Sequence, residues 1–445
     1  MNDARFIVLP ELGEFLPAEL AAKARGLEGM VFFDSAKEKA EGADISLIGV
    51  CPERLLGGNI FNEGDFSVLR DQVRTLESEA LGVDDGLPGS IVAGAVDYDG
   101  RFRFGVYTKV LVYRHKEGQW YGRGDWWQEL LGVRERPEER VDLHFVPQMD
   151  QERFCRMVLR AQEYIASGDV YQVNLSHPLV AEWNGVGEWA FYEALRHYSP
   201  APYCAYLRLG QETVLSTSPE LFLQISGRLV KTRPIKGTRP RRSDPHADER
   251  SAFDLITSSK EVAELVMITD LERNDLGQVC EWGSVEVREL LKLERHEHVF
   301  HLVSTVEGCL RSEVDSVSAL RACFPGGSIT GAPKRRAREI IAELEGYQRG
   351  LYTGALGWFG SGGESVFNIA IRTVVLEGNQ ARFSVGAGVV ADSIPLREWQ
   401  ETWDKAAGIL LAAEWIGKGG ARDSAEVDRT LPEGIRGATD KGINL

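Results

Sequence analysis

The sequence is short of positive charge and of the residues that build metal–sulfur or disulfide sites. Its 445 residues carry 51 Lys and Arg against 67 Asp and Glu, a formal net charge of −16. A chain this acidic lacks the basic face that nucleic acid or an anionic membrane requires, so neither is expected as a partner. Six cysteines stand far apart, at 51, 155, 204, 280, 309 and 323, with no CxxC pair, which argues against a zinc site. They read as small buried hydrophobes in a reducing compartment. Histidine is sparse, at eight. His296, His298 and His301 lie close in sequence, but in a strand-like run, and His301 is preferred as a single polar site residue over a metal cluster. Apolar runs such as Gly408 to Ala413 are too short to cross a bilayer. The start, Met1-Asn2-Asp3-Ala4-Arg5, lacks the basic and apolar blocks of a secretory signal. With no internal repeat either, the expectation is a cytoplasmic globular protein.

Hydrophobic residues make up 43%, enough for a large core, and the length suits two or three domains or one large double-layered one. The first 147 residues are rich in strand-like segments, among them Ile45 to Val50 and Ile91 to Val96. The charged run Arg134 to Arg140 reads as a surface connection. A helix follows, with Phe154, Met157, Val158, Ala161 and Ile165 on one face and Gly168 placed to end it. Residues 171–176 alternate, putting Gln172, Asn174 and Ser176 on one polar face of a strand. Strand runs follow one another without an intervening helix, which predicts an α+β layout with large, mostly antiparallel sheets and helices outside. A second domain is expected over 148–416, and a mobile tail over 417–445, where periodicity is lost.

Two acidic pairs stand out. Glu261 and Glu264, and Glu398 and Glu401, each have i,i+3 spacing, so each pair shares one helix face. Two such faces brought together make an oxygen-rich site for a hard cation such as Mg²⁺. Spacing alone carries little weight, because most such pairs are solvated faces with a local Lys or Arg. Ser328 to Lys334 combines glycines and hydroxyls ahead of a helix whose first turn suits Pro333. At Gly386 and Gly388 the backbone can approach a ligand closely, or make a tight turn. Arg372 interrupts a strand-like run. Its guanidinium suits a carboxylate ligand or a structural ion pair. Arg239, Arg241 and Arg242 read as a solvated loop.

The order of motifs then resembles one family: Gly168 to Gln172, Ser218-Pro219-Glu220, Pro234-Ile235-Lys236-Gly237-Thr238, Asp270 to Gly277, Ser328 to Lys334, Ile371-Arg372-Thr373, and Gly386-Ala387-Gly388 through Lys405. From about residue 150 to 412 they resemble the chorismate-utilising enzymes, whose members include anthranilate synthase component I, aminodeoxychorismate synthase component I, and the isochorismate and salicylate synthases. Phe33-Asp34-Ser35 and Ser46 to Gly49 match more loosely the family's N-terminal domain, whose pocket can hold tryptophan.

The resemblance implies an anthranilate synthase component I-like fold and a set of roles. Glu264 and Glu401 would bind Mg²⁺ directly, with Glu261 and Glu398 reaching it through water. Arg372, Lys405 and the backbone at Gly386 and Gly388 would hold the enolpyruvyl carboxylate of chorismate. Ser328 and His301 would line the ring, with Thr238 and Gln172 among the substrate-binding positions. Glu220 would be the general acid for the departing C4 hydroxyl, and Lys236 the nucleophile toward C2, provided its amine is neutral. Isochorismate-type members have lysine where this chain has Gln172. Anthranilate synthases usually have alanine where it has Lys236, so amination at C4 is favoured over amination at C2. No cysteine nucleophile elbow is present. Ammonia is therefore expected from a separate glutamine amidotransferase subunit.

Overall fold

A computed structural model describes residues 6–36, 44–78, 87–134, 141–296 and 299–417. The expected surface run at 135–140, His298 and the tail beyond Gly417 lie outside the described residues.

Apolar residues sort the described chain into two stacked antiparallel sheets, of 12 and 10 strands. Every paired strand is antiparallel, as the successive strand runs predict. Neither sheet stops at the expected boundary near residue 147. In the larger sheet Val31–Asp34 pairs with Tyr203–Leu209, and in the smaller Ile91–Val96 pairs with Ala355–Gly360. Between the sheets lies a shared layer with Val31, Leu47 and Leu207 from one side and Ile91, Leu356 and Trp358 from the other. A second layer covers the outer face of the larger sheet, where the helices Glu188–Tyr198 and Pro395–Gly417 pack with Phe191, Leu195, Ile409 and Ala413 inward. The helix Glu63–Ser78 does the same for the smaller sheet through Phe66, Leu69 and Val73.

The predicted helix forms over Gln151–Ala166. Asp150 caps it by accepting from the Arg153 amide at 2.7 Å, and Gly168 turns the chain out at φ 83°. The strand expected at 171–176 is the longer Gln172–Glu182. Its polar face is not solvated: Gln172, Asn174 and Ser176 are as buried as Val173 and Leu175 opposite them, because the strand is internal to the fold, between the helix Lys334–Glu345 and its partner Gln380–Val389. The six cysteines are all free. No helix among the described residues is long and apolar enough to cross a membrane.

Candidate active site

The site is assembled where the ends of both sheets meet two acidic helices, Ser259–Gly277 and Pro395–Gly417. Both acid pairs fall on helices, as their spacing predicts. The Ser258 side chain caps the first by accepting from the Glu261 amide. Lys236 sits on the edge strand Ile235–Pro240, next to a register shift between Lys236 and Thr238 in the pairing with Val299–Cys309. At Gly237 φ is +73°, and a Cβ there would lie 2.7 Å from Leu255 and 3.0 Å from Glu261 Oε2. Glycine is required on both counts.

Three candidate residues form one hydrogen-bonded chain. Lys236 Nζ donates to the Ser328 carbonyl at 3.0 Å, and Ser328 Oγ donates to Glu220 Oε1 at 2.6 Å. Glu220 is buried. Burial raises its carboxyl above the ordinary range, partly offset by the Ser328 hydrogen bond and by Lys236 and Lys405. A buried acid whose proton is held more firmly than usual, next to a primary amine, is an arrangement suited to proton donation coupled to nucleophilic attack.

The metal-candidate acids come near one another with a lysine between them. Lys260 Nζ donates to Glu398 Oε1 at 2.9 Å and lies 3.9 Å from Glu264 Oε1. Ser393 donates to Glu398 Oε1 as well, at 2.7 Å. Glu264 Oε1 and Glu398 Oε2 are buried with no hydrogen-bond partner. Burial pushes the Glu264 carboxyl up to about 6, with Lys236 and Lys260 pulling against it and Glu261 and Glu401 adding to it. Among the described residues no three His, Cys, Asp or Glu side chains group so as to hold a metal alone. That arrangement still fits Mg²⁺, which takes one or two carboxylates directly and fills its octahedron with water and substrate oxygens. Two orphaned, buried carboxylate oxygens are what a cation would satisfy.

On the other wall Lys405 Nζ donates to the Gly386 carbonyl at 2.9 Å and pairs with Glu401 at 2.7 Å. An ammonium has three donors, so one remains for a ligand. Burial opposes the charged form of Lys405, but Glu401 outweighs it and raises the ammonium above its usual value. Gly386 and Gly388 are not in a turn. They lie within the strand Gln380–Val389, opposite Ser176 and Asn174. A Cβ at Gly388 would sit 2.4 Å from Gln172 Nε2 and 3.8 Å from Glu264 Oε2, so Gln172 and the acidic helix converge on that glycine. Gln172 Oε1 is buried without a partner. Arg372 has a left-handed φ of 49°, and its guanidinium has neither a hydrogen bond nor an ion pair among the described residues. Burial lowers its pKa. The structural ion pair considered for it is therefore not formed. Ile369, three residues earlier, donates its amide to the Glu220 carbonyl at 3.1 Å, which anchors this segment to the acid. Thr238 and His301 are joined at 3.1 Å across the strand pair. His296 is drawn off to Glu294, at 3.2 Å. Arg241 pairs with Asp248, in a partly buried contact where a solvated loop was expected.

Sequence reasoning did not single out Lys260, although its place four residues before Glu264 is an i,i+4 signal. Nor did it assign Glu272 a role, or find the buried pair Arg349–Glu345, at 2.7 Å, under Ser176.

The family model for chorismate binding enzymes matches residues 91–411. Aminodeoxychorismate synthase component 1 of Bacillus subtilis (strain 168) is 46% identical over 291 residues, 65% of this chain and 62% of that protein. Anthranilate synthase component 1 of Methanothermobacter thermautotrophicus is 43% identical over 277 residues, 62% of this chain and 60% of that protein. The matched stretch thus spans only about three fifths of these curated relatives. Among solved structures, anthranilate synthase component I from Streptococcus pneumoniae TIGR4 superposes with a TM-score of 0.72 at 28% identity, covering 83% of this chain and 93% of that one. The menaquinone-specific isochorismate synthase MenF of Escherichia coli shares the fold, with a TM-score of 0.75 at 18% identity over 92% of this chain and 94% of that one. With the matched residues running through every group from Gln172 to Lys405, the chain belongs to the chorismate binding enzyme family.

Proposed function

We propose that this chain is an aminodeoxychorismate synthase component I. It would convert chorismate and ammonia to 4-amino-4-deoxychorismate for 4-aminobenzoate and folate synthesis, with ammonia delivered by a glutamine amidotransferase subunit. The observation that carries the reading is the chain Lys236–Ser328–Glu220, which sets a primary amine and a buried acid on either side of one serine. In the proposed sequence Glu220 gives its proton to the C4 oxygen, which leaves as water, while the Lys236 amine bonds to C2 and the ring double bonds shift. Ammonia then bonds to C4, the double bonds shift back and the C2–N bond breaks. The proton of the new ammonium returns to Glu220. Arg372 and the third donor of Lys405 would hold the enolpyruvyl carboxylate. Glu264 and Glu401 would hold Mg²⁺, with Glu261 and Glu398 at its waters. Bound there, Mg²⁺ supplies Lewis-acid polarisation of the ring carboxylate.

The second reading is anthranilate synthase component I, which aminates at C2 and releases pyruvate. It is favoured by the near-equal identity to the relative of that name, 43% against 46%. Lys236 is the discriminating residue. Lys236→Ala is expected to lower ammonia-dependent turnover at least about 100-fold, the usual scale for losing a covalent or acid–base group, with chorismate binding retained. Intact-mass analysis of the wild type stopped during turnover should show an adduct that the variant lacks. Full turnover by Lys236→Ala, with no adduct on the wild type, would overturn the covalent role.

A further inference from the structure

The proposed chemistry uses only the first half of the helix Ser259–Gly277. Two turns beyond Glu264 the same helix buries two more acids, Glu272 and Asp275, at 2% and 3% exposure. Their i,i+3 spacing puts them on one face. Both grip the glycine-rich segment that carries Ser328. Glu272 Oε1 accepts from the Gly327 amide at 3.1 Å. The fit is close: a Cβ at Gly327 would lie 3.1 Å from that oxygen and 2.6 Å from Leu271 Cδ2. Asp275 accepts from Lys334 Nζ at 2.6 Å, and Lys334 also donates to the Cys323 carbonyl at 2.8 Å, tying the two ends of the segment together. Inside it, Thr330 Oγ1 donates to the Gly326 carbonyl at 2.8 Å. The next residue after Gly327 is Ser328, which holds both Glu220 and Lys236.

We propose that Glu272 is a positioning residue for the reaction: by holding the Gly327 amide it fixes Ser328 against Glu220 and Lys236. This rests on Glu220 being the general acid. The groups facing Glu272 are Asp275 on its own helix, Lys334 at the start of the next, Cys323 at the end of another and Glu220. Burial raises the Glu272 carboxyl to about 8. Asp275 and Glu220 add to the rise, and Lys334 and the Gly327 amide oppose it. Near neutrality Glu272 is therefore a neutral acid whose Oε1 still accepts from the Gly327 amide, as a glutamine oxygen would.

The test compares Glu272→Leu and Glu272→Gln with the wild type, following chorismate consumption with an ammonium salt and Mg²⁺ from about pH 6 to 10. Leucine offers no acceptor to Gly327. Glu272→Leu is expected to lower kcat by about tenfold or more with KM within about threefold, as displaced catalytic groups do. Glutamine keeps an acceptor oxygen for the Gly327 amide and should recover most of that loss. Wild-type kcat in Glu272→Leu, a loss carried by KM rather than kcat, or no recovery in Glu272→Gln would each overturn the proposal. Should Glu272→Leu not fold, Glu272→Met, of matched length and without a strong acceptor for the Gly327 amide, is read in its place with the same outcomes. A wild type that consumes no chorismate, or an alkaline limb that survives in Glu220→Gln, would instead overturn the reading beneath it.

Discussion

Glu220→Gln isolates proton donation from packing. The carboxyl is buried and receives Ser328 Oγ at 2.6 Å. Burial raises its pKa, so the native side chain is held toward the neutral form. Glutamine is nearly isosteric, cannot ionise, and keeps an oxygen for Ser328 to donate to. Its amide nitrogen meets the Ile235 N–H that faces the native carboxyl, so a stability loss of about 1–3 kcal/mol is expected. What disappears is the proton. Loss of general acid catalysis is worth about 10²- to 10⁴-fold, or ~3–5 kcal/mol on the barrier. The assay is chorismate consumption with saturating ammonium salt and Mg²⁺, run as a function of pH. The wild type should lose activity on the alkaline side as Glu220 ionises. The variant should be slow throughout and show no such limb, with a cooperative thermal melting transition above the assay temperature. A kcat within about threefold of wild type, with the alkaline limb intact, would refute the assignment of Glu220 as the acid.

Two further predictions rest on geometry away from the reacting atoms. Gly386→Ala would place a Cβ 2.6 Å from the Leu175 carbonyl and 2.9 Å from the Tyr352 hydroxyl. The strand pair must part to admit it, so a loss of about 1–3 kcal/mol in urea unfolding and a raised KM for chorismate are expected as Lys405 loses its carbonyl. An unchanged unfolding midpoint would count against the close packing described. His177 is fully buried, bonded to Thr402 at 3.0 Å and stacked on Trp399 at 4.7 Å, and burial lowers its pKa from 6.5 to about 4. With the folded value below the unfolded one, the unfolded chain binds the extra proton. The stabilisation is present above about pH 6.5 and is lost as pH falls toward about 4, at most ~3 kcal/mol. His177→Phe should flatten the pH dependence of the unfolding free energy in that window, and an unchanged slope would contradict it.

Legibility in the sequence followed the range of the interactions. The helix Gln151–Ala166 and both acid pairs were readable because helical spacing is local. The antiparallel layout was readable because strand runs follow without crossovers. The pairing of Val31–Asp34 with Tyr203–Leu209 was not, since nothing local encodes a partner about 170 residues away. The motif order identified Lys236, Glu220 and Ser328, but a motif does not state which atoms meet. That the serine offers its hydroxyl to the acid and its carbonyl to the lysine comes only from the fold. Gly386 and Gly388 looked equally suited to a turn. Their place in a strand is set by ten residues of register with Gln172–Glu182. Arg372 could have been a structural ion pair. Its unpaired state depends on which acids the fold brings near, and among the described residues none pairs with it.

The account turns on which ring carbon receives nitrogen. Incubation of the purified chain with chorismate, Mg²⁺ and a ¹⁵N-ammonium salt, read by NMR of the product, decides it directly. The label should appear on C4 with the enolpyruvyl group retained, and added lyase should turn that product into 4-aminobenzoate. Label on C2, with release of pyruvate and the fluorescence of anthranilate, would contradict the assignment built on Lys236 and Gln172.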